Sequence, residues 1–179
     1  MKIVKYGDGA SSRPYESFVI KNSETVFVGG TVKLLAGVLE PADAVTDLVY
    51  GICVGFLGAD GSTPYENLLD GQKGSGDVFT KGVSLAVHSN NETVAKIRAK
   101  VVPIQPNDVI RGVADDTLGT TTGSDKIGYY INILTTDESK FEESTTSATV
   151  EQFIIVGHPV GNVANMLDVK LVEGQLFGQ

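Results

Sequence analysis

The 179-residue sequence predicts a mainly β fold: a barrel or sandwich of short, mostly antiparallel strands, with one short helix and an extended N-terminal arm. Three observations carry this expectation. Apolar residues alternate with polar ones along several short segments. Glycine is abundant, at 21 residues, and brackets most of those segments. Hydrophobic residues make up 41% of the chain, enough to bury a core. The expected division is an arm over 1–17 and one β-rich domain over 18–179.

The arm is read from its punctuation. Gly7, Gly9, Ser11, Ser12 and Pro14 interrupt any periodicity, as in an extended arm or loop of the kind that can order on a partner. Next comes the β-branched and aromatic run Thr25-Val26-Phe27-Val28, then Gly29-Gly30, then Thr31-Val32-Lys33-Leu34-Leu35. Two such runs around a glycine pair predict a hairpin or a sharp bend. Leu48 to Gly58, LVYGICVGFLG, is the longest apolar stretch; it is too short to span a bilayer and reads as a buried strand. Asp60-Gly61 closes it with a turn. Thr63 as N-cap, Pro64 at the first helical position and Glu66 as the capping-box partner predict a two-turn helix over Pro64 to Asp70, with Gly71 after it.

Thr93 to Val101 alternates cleanly, with Thr93, Ala95, Ile97, Ala99 and Val101 on one face and Val94, Lys96, Arg98 and Lys100 on the other. Val83 to Val87 is its expected pairing strand, with Asn90-Asn91 as the turn. Ile127, Tyr129, Ile131 and Ile133 alternate again. Phe153 to Val156 is a short apolar run, and Leu167, Val169 and Leu171 alternate with Asp168 and Lys170. Long loops are expected over Asp70 to Thr80, Ala114 to Asp125 and Thr135 to Thr149.

Charge narrows the function. The net charge is −8, from 22 acids and 14 bases, which disfavours nucleic acid as a partner. The signs are segregated. Residues 40–77 hold seven acids and one base, 107–143 eight acids and three bases, and 81–100 four bases and one acid. The start of the chain lacks the apolar core of a secretory signal, so Asn91-Glu92-Thr93 is read as an accidental match to a glycosylation acceptor. The expectation is synthesis in a reducing cytoplasm, with no membrane partner.

Reactive constellations are weak throughout. The single cysteine, Cys53, lies in the apolar run and reads as a buried thiol. In Gly71-Gln72-Lys73-Gly74-Ser75-Gly76-Asp77 the lysine precedes the second glycine and Asp77 would repel phosphate, so the segment is a loop and not a phosphate cradle. His88 and His158 lack metal-ligand spacing, and no G-x-S-x-G elbow occurs. Asp115-Asp116 and Glu142-Glu143 could serve acid–base chemistry or Ca²⁺, but among Thr, Ser and Gly they read as solvated loops. No catalytic, cofactor-binding or metal-ligating residue is expected. Lys96, Arg98 and Lys100 suit either an acidic protein surface or a plain solvated strand face.

Several phrases are similar in style to phage virion β-domains: Val28-Gly29-Gly30-Thr31-Val32-Lys33-Leu34, Gly51-Ile52-Cys53-Val54-Gly55-Phe56, Gly128-Tyr129-Tyr130-Ile131-Asn132-Ile133 and the closing Val169-Lys170-Leu171-Val172-Glu173-Gly174-Gln175-Leu176. With the arm before them, the layout resembles the small head decoration, or cement, proteins of tailed bacteriophages. The Thr/Ser-rich acidic loops and the long middle section depart from the shortest members. The resemblance implies a structural virion protein on the capsid exterior. It would bind the major capsid protein where subunits meet, as a homotrimer, and stabilise the expanded head. Tyr6, Arg13, Tyr15, Lys96, Arg98 and Lys100 are the candidate capsid contacts. Two other readings are carried with it: another virion component, such as a head fibre base or tail protein, and a carbohydrate- or Ca²⁺-binding β-module.

Overall fold

A computed structural model describes residues 1–65, 82–84, 96–116, 126–134, 137–147, 151–159 and 165–175. Among them are thirteen strands: β1 (Lys2–Lys5), β2 (Glu16–Val19), β3 (Thr25–Phe27), β4 (Thr31–Leu35), β5 (Val38–Pro41), β6 (Gly51–Leu57), β7 (Gly82–Ser84), β8 (Arg98–Pro103), β9 (Val109–Ala114), β10 (Tyr130–Leu134), β11 (Asp137–Ser147), β12 (Phe153–Gly157) and β13 (Met166–Leu171). The expected mainly β class is what the chain adopts.

Five strands close into a barrel, in the order β9-β11-β10-β12-β13 and back to β9. The edge of β9 away from β13 is divided between two neighbours. β1 pairs antiparallel with its first half, Ile3 opposite Ile110, and β11 pairs parallel with its second half, Phe141 opposite Ala114. A second sheet, antiparallel between all its neighbouring strands, runs β2-β8-β6-β4-β5, and a parallel bridge between Ile20 and Leu39 brings its two outer strands together. β3 and β7 form a separate pair.

Two hydrophobic clusters fill these layers, and β6 serves both. Ile52 packs with Ile110, Ile131, Phe141 and Phe153 in one, while its neighbour Cys53 packs with Ile20, Leu39, Phe56 and Val101 in the other. A strand covered on both faces needs apolar residues at successive positions, which is why this stretch of sequence is nearly continuous in Leu, Val, Ile and Phe. Close packing here also explains Gly51. A Cβ at that position would lie 2.5 Å from the Val102 carbonyl oxygen and 2.6 Å from Val101 Cγ1. Gly51→Ala is therefore expected to cost about 1–3 kcal/mol, read as a lower urea midpoint; an unchanged midpoint would mean the sheet yields freely at this point.

Cys53 has no exposed surface, and burial pushes its thiol up to about 12 from 9.0. The unfolded chain thus ionises this thiol first, so its contribution to stability is present below pH 9 and is lost as pH rises toward 12. The thiol should resist iodoacetamide at pH 8.5 until denaturant unfolds the chain; rapid alkylation of the native protein would contradict its burial.

Several expectations are corrected. Residues 1–17 are extended, yet they pack on this same chain through β1 and the start of β2. Pro64 bridges Leu57 and the Tyr65 amide donates to the Phe56 carbonyl, so the chain is extended where the helix was expected to begin. The Thr63 hydroxyl donates back to the Asp60 carboxylate, which also accepts from the Ser62 and Thr63 amides, so Asp60 closes a turn here. Residues 66–70 lie outside the described residues. Of the two expectations for Gly29-Gly30 the sharp bend holds and the hairpin does not, since β3 and β4 pair elsewhere.

β7 pairs with β3 rather than with β8. Asn90-Asn91 and the loop over 70–80 lie outside the described residues. Lys96 has φ +51, which places it before β8 and off the alternating strand. Ile127 and Tyr129 are exposed in the turn preceding β10, while Ile131 and Ile133 are buried as their spacing predicts. The largest correction is β11. The Thr/Ser-rich acidic stretch is a wall of the barrel, because β10 and β9 pair with it on either side and Phe141 anchors it in the core.

Candidate functional site

The candidate contacts are organised by one buried carboxylate. Pro106-Asn107 makes the turn between β8 and β9, and Asn107 takes φ +67 there. This sets Asp108, with a fully buried side chain, beneath the N-terminal segment. Its Oδ2 accepts from Arg13 Nη1 at 2.6 Å and from the Gln105 amide at 2.8 Å. Its Oδ1 accepts from the Gly7 amide at 2.7 Å and from Arg13 Nη2 at 3.2 Å. Arg13 also donates to the Pro103 carbonyl and to Asp8. The hydrogen bond to Asp108 is the main reason its guanidinium is held above the usual arginine range. Gly7 has no space for a side chain, since a Cβ would stand 2.3 Å from the Pro106 carbonyl oxygen.

Arg13 in turn fixes Tyr6, with its guanidinium carbon 4.8 Å from the ring centre. Tyr15, the residue before β2, lies beside β8 and is 50% exposed, with the Lys100 ammonium 4.9 Å from its ring centre. Val54 is the extra residue of a bulge in β6 between Cys53 and Gly55, and it projects outward with 45% of its surface exposed. Lys2, Ile3, Tyr6, Ile52, Val54 and Val102 line a groove of about 130 Å³ at this seam between the sheets. A second, more open groove of about 320 Å³ flanks the other side of β1, beside Lys2, Arg111 and Met166. Arg111 there is engaged by Asp168, at 2.8 and 2.9 Å.

Four of the six sequence candidates, Tyr6, Arg13, Tyr15 and Lys100, are thus brought together along the end of β8. Arg13 is a support rather than a contact, because its side chain is only 8% exposed. Arg98 sits at the opposite end of β8 and donates to the Ser17 carbonyl at 2.6 Å, which ties β8 to β2. Lys96 stands apart from both. Val54, Val102 and Asp108 were not singled out by sequence. The bulge at Val54 has no signature inside an apolar run, and Asp108 is far from Arg13 in the chain.

The other candidates serve the fold. His158 Nδ1 lies 3.0 Å from the Met166 carbonyl oxygen, joining β12 to β13. Asp115 Oδ1 accepts from the Glu143 amide at 2.6 Å, fastening the end of β9 to β11, while Glu142 and Glu143 lie half-buried on that strand. His88 and Gly71 to Asp77 lie outside the described residues. Among the described residues, no three His, Cys, Asp or Glu side chains are grouped to hold a metal ion, and no helix is long and apolar enough to cross a membrane. No family model, curated protein or solved structure matches the chain.

Proposed function

We propose that this chain is a capsid decoration protein, binding the outer surface of a phage head where capsid subunits meet and stabilising the expanded lattice. The observation that carries the reading is a pair of ring–cation contacts near the end of β8, Tyr15 with Lys100 and Tyr6 on an Arg13 that is buried against Asp108. Rigid tyrosines on a shallow surface suit protein contact, because each supplies a large area at low entropic cost. The rest of the acidic chain would keep decorated particles apart.

The mechanism is linkage. A protein that binds the expanded shell and not its precursor shifts the equilibrium toward the expanded state. Assembly as a trimer with the major capsid protein as partner would add effective concentration to each modest contact. Sedimentation with purified heads tests this. The chain should pellet with expanded heads, remain in solution with unexpanded ones, and raise the temperature at which heads open. Equal recovery with both forms, or with neither, would contradict the reading. Light scattering of the free chain should give three times the monomer mass; a monomer would remove the trimer.

A further inference from the structure

We propose that the face formed by Lys2, Tyr6, Tyr15, Val54, Lys100 and Val102 docks an extended, acidic segment of the partner shell protein; this rests on the decoration reading and names the chemistry of its contact. Shape comes first. The groove between β1 and the β6–β8 pair, about 130 Å³, is lined by Ile3, Ile52, Val54 and Val102 with Lys2 and Tyr6, so it has room for about one side chain of a segment laid across the face. Val54 lines it from β6, Tyr15 lies across β8 at the start of β2, and both are about half exposed. Tyr6 is held by the buried Arg13–Asp108 pair, so little ordering is left for binding to complete.

Charge then selects the occupant. Lys2, Lys5 and Lys100 have no ion-pair partner among the described residues, on a chain whose net charge is −8. Asp8 and Asp108 share the single charge of Arg13, which leaves one acid in excess beside three lysines. A positive face on an acidic molecule attracts acidic partners and repels copies of itself only if the copies meet through that face. Meeting in that way would place β1 lysines against β1 lysines. The bulge in β1 between Ile3 and Lys5 further spoils edge-to-edge pairing of two identical strands. The geometry therefore disfavours two copies meeting symmetrically through this face, and its charge favours an acidic segment of the partner protein as the occupant.

The contact divides into an apolar part, from Val54, Val102 and the tyrosine rings, and a cationic part, from Lys2 and Lys100. The cationic part should make binding weaken as salt rises, while the apolar part should not respond.

The experiment measures affinity for expanded heads in the wild type and in three variants: Lys100→Glu, Tyr15→Ala, and Lys126→Glu, which makes the same charge change beside Tyr129 in the turn preceding β10. Melting curves first establish that each variant is folded. Lys100→Glu and Tyr15→Ala are each expected to weaken binding about tenfold or more, Lys100→Glu with a shallower salt dependence, and Lys126→Glu to bind as wild type. If wild type binds expanded heads and both Lys100→Glu and Tyr15→Ala bind equally well, this docking face is wrong while the decoration function stands. Equal losses in Lys100→Glu and Lys126→Glu would reduce the effect to overall charge and overturn the assignment. Altered self-association of free Lys100→Glu would identify a second copy as the occupant. Failure of wild type to bind heads at all would remove both the function and the face.

Discussion

Asp108→Ala should unfold this protein more readily than almost any other single change, at a cost of about 3–5 kcal/mol. The carboxylate is buried and accepts four hydrogen bonds, from the Gly7 and Gln105 amides and both terminal nitrogens of Arg13. Its removal strands the Arg13 guanidinium, only 8% exposed, with Asp8 as its remaining carboxylate partner. The Gly7 and Gln105 amides lose their acceptor as well. Arg13→Ala should cost a similar amount by the converse route, leaving the Asp108 charge without its cation. The double variant Arg13→Ala with Asp108→Ala should cost far less than the two singles summed, because neither charge is left alone. Urea unfolding of the four proteins measures this directly. Strict additivity, or a loss under about 1 kcal/mol in Asp108→Ala, would mean the pair does not organise the N-terminal segment. Amide exchange at Gly7 gives a local readout and should accelerate in Asp108→Ala before any global opening.

Phe141→Ala carries the second large effect, also about 3–5 kcal/mol. Phe141 is fully buried and meets Phe153 edge-on, with ring centres 5.4 Å apart. It sits where β11 pairs with β9, the contact that closes the barrel. Gly112 on β9 makes room for it, since a Cβ there would lie 2.6 Å from Phe141 Cε2 and 3.0 Å from Met1 Cγ. This predicts a cost that depends on the background. Gly112→Ala should destabilise the wild type by about 1–3 kcal/mol through overpacking. In a Phe141→Leu background, where the ring is gone, the same substitution should cost little. Thermal melts of the two singles and the double would reveal the coupling. Equal cost of Gly112→Ala in both backgrounds would mean that Phe141 and Gly112 do not share this space.

What could be read in the sequence was set by burial. β6 stood out because both of its faces are covered, and β12 and β13 because their inward residues are large and apolar. β11 was hidden for the opposite reason. Its composition is Thr, Ser and acid, and only partners far away in sequence, Val113 and Ala114 on β9, make it a barrel wall. Thr63-Pro64 carried a valid local helix signal, but Leu57 and Phe56 claim that backbone for a sheet. The left-handed turn at Lys96 likewise overrode a clean alternation. At the candidate face, residue type drew attention to Tyr6, Tyr15 and Lys100. Asp108 escaped because a lone acid between turn residues looks the same whether it is solvated or grips an arginine 95 positions away. The punctuation of residues 1–17 marked turns correctly, yet it could not reveal that Asp108 holds them against the domain.

The decisive observation is an image reconstruction of expanded heads with and without this chain. The difference density should fit the two-core β structure at junctions between capsid subunits, with Tyr15, Val54 and Lys100 turned toward the shell. Particles that carry no such density, or a chain seated with that face toward solvent, would contradict the proposal.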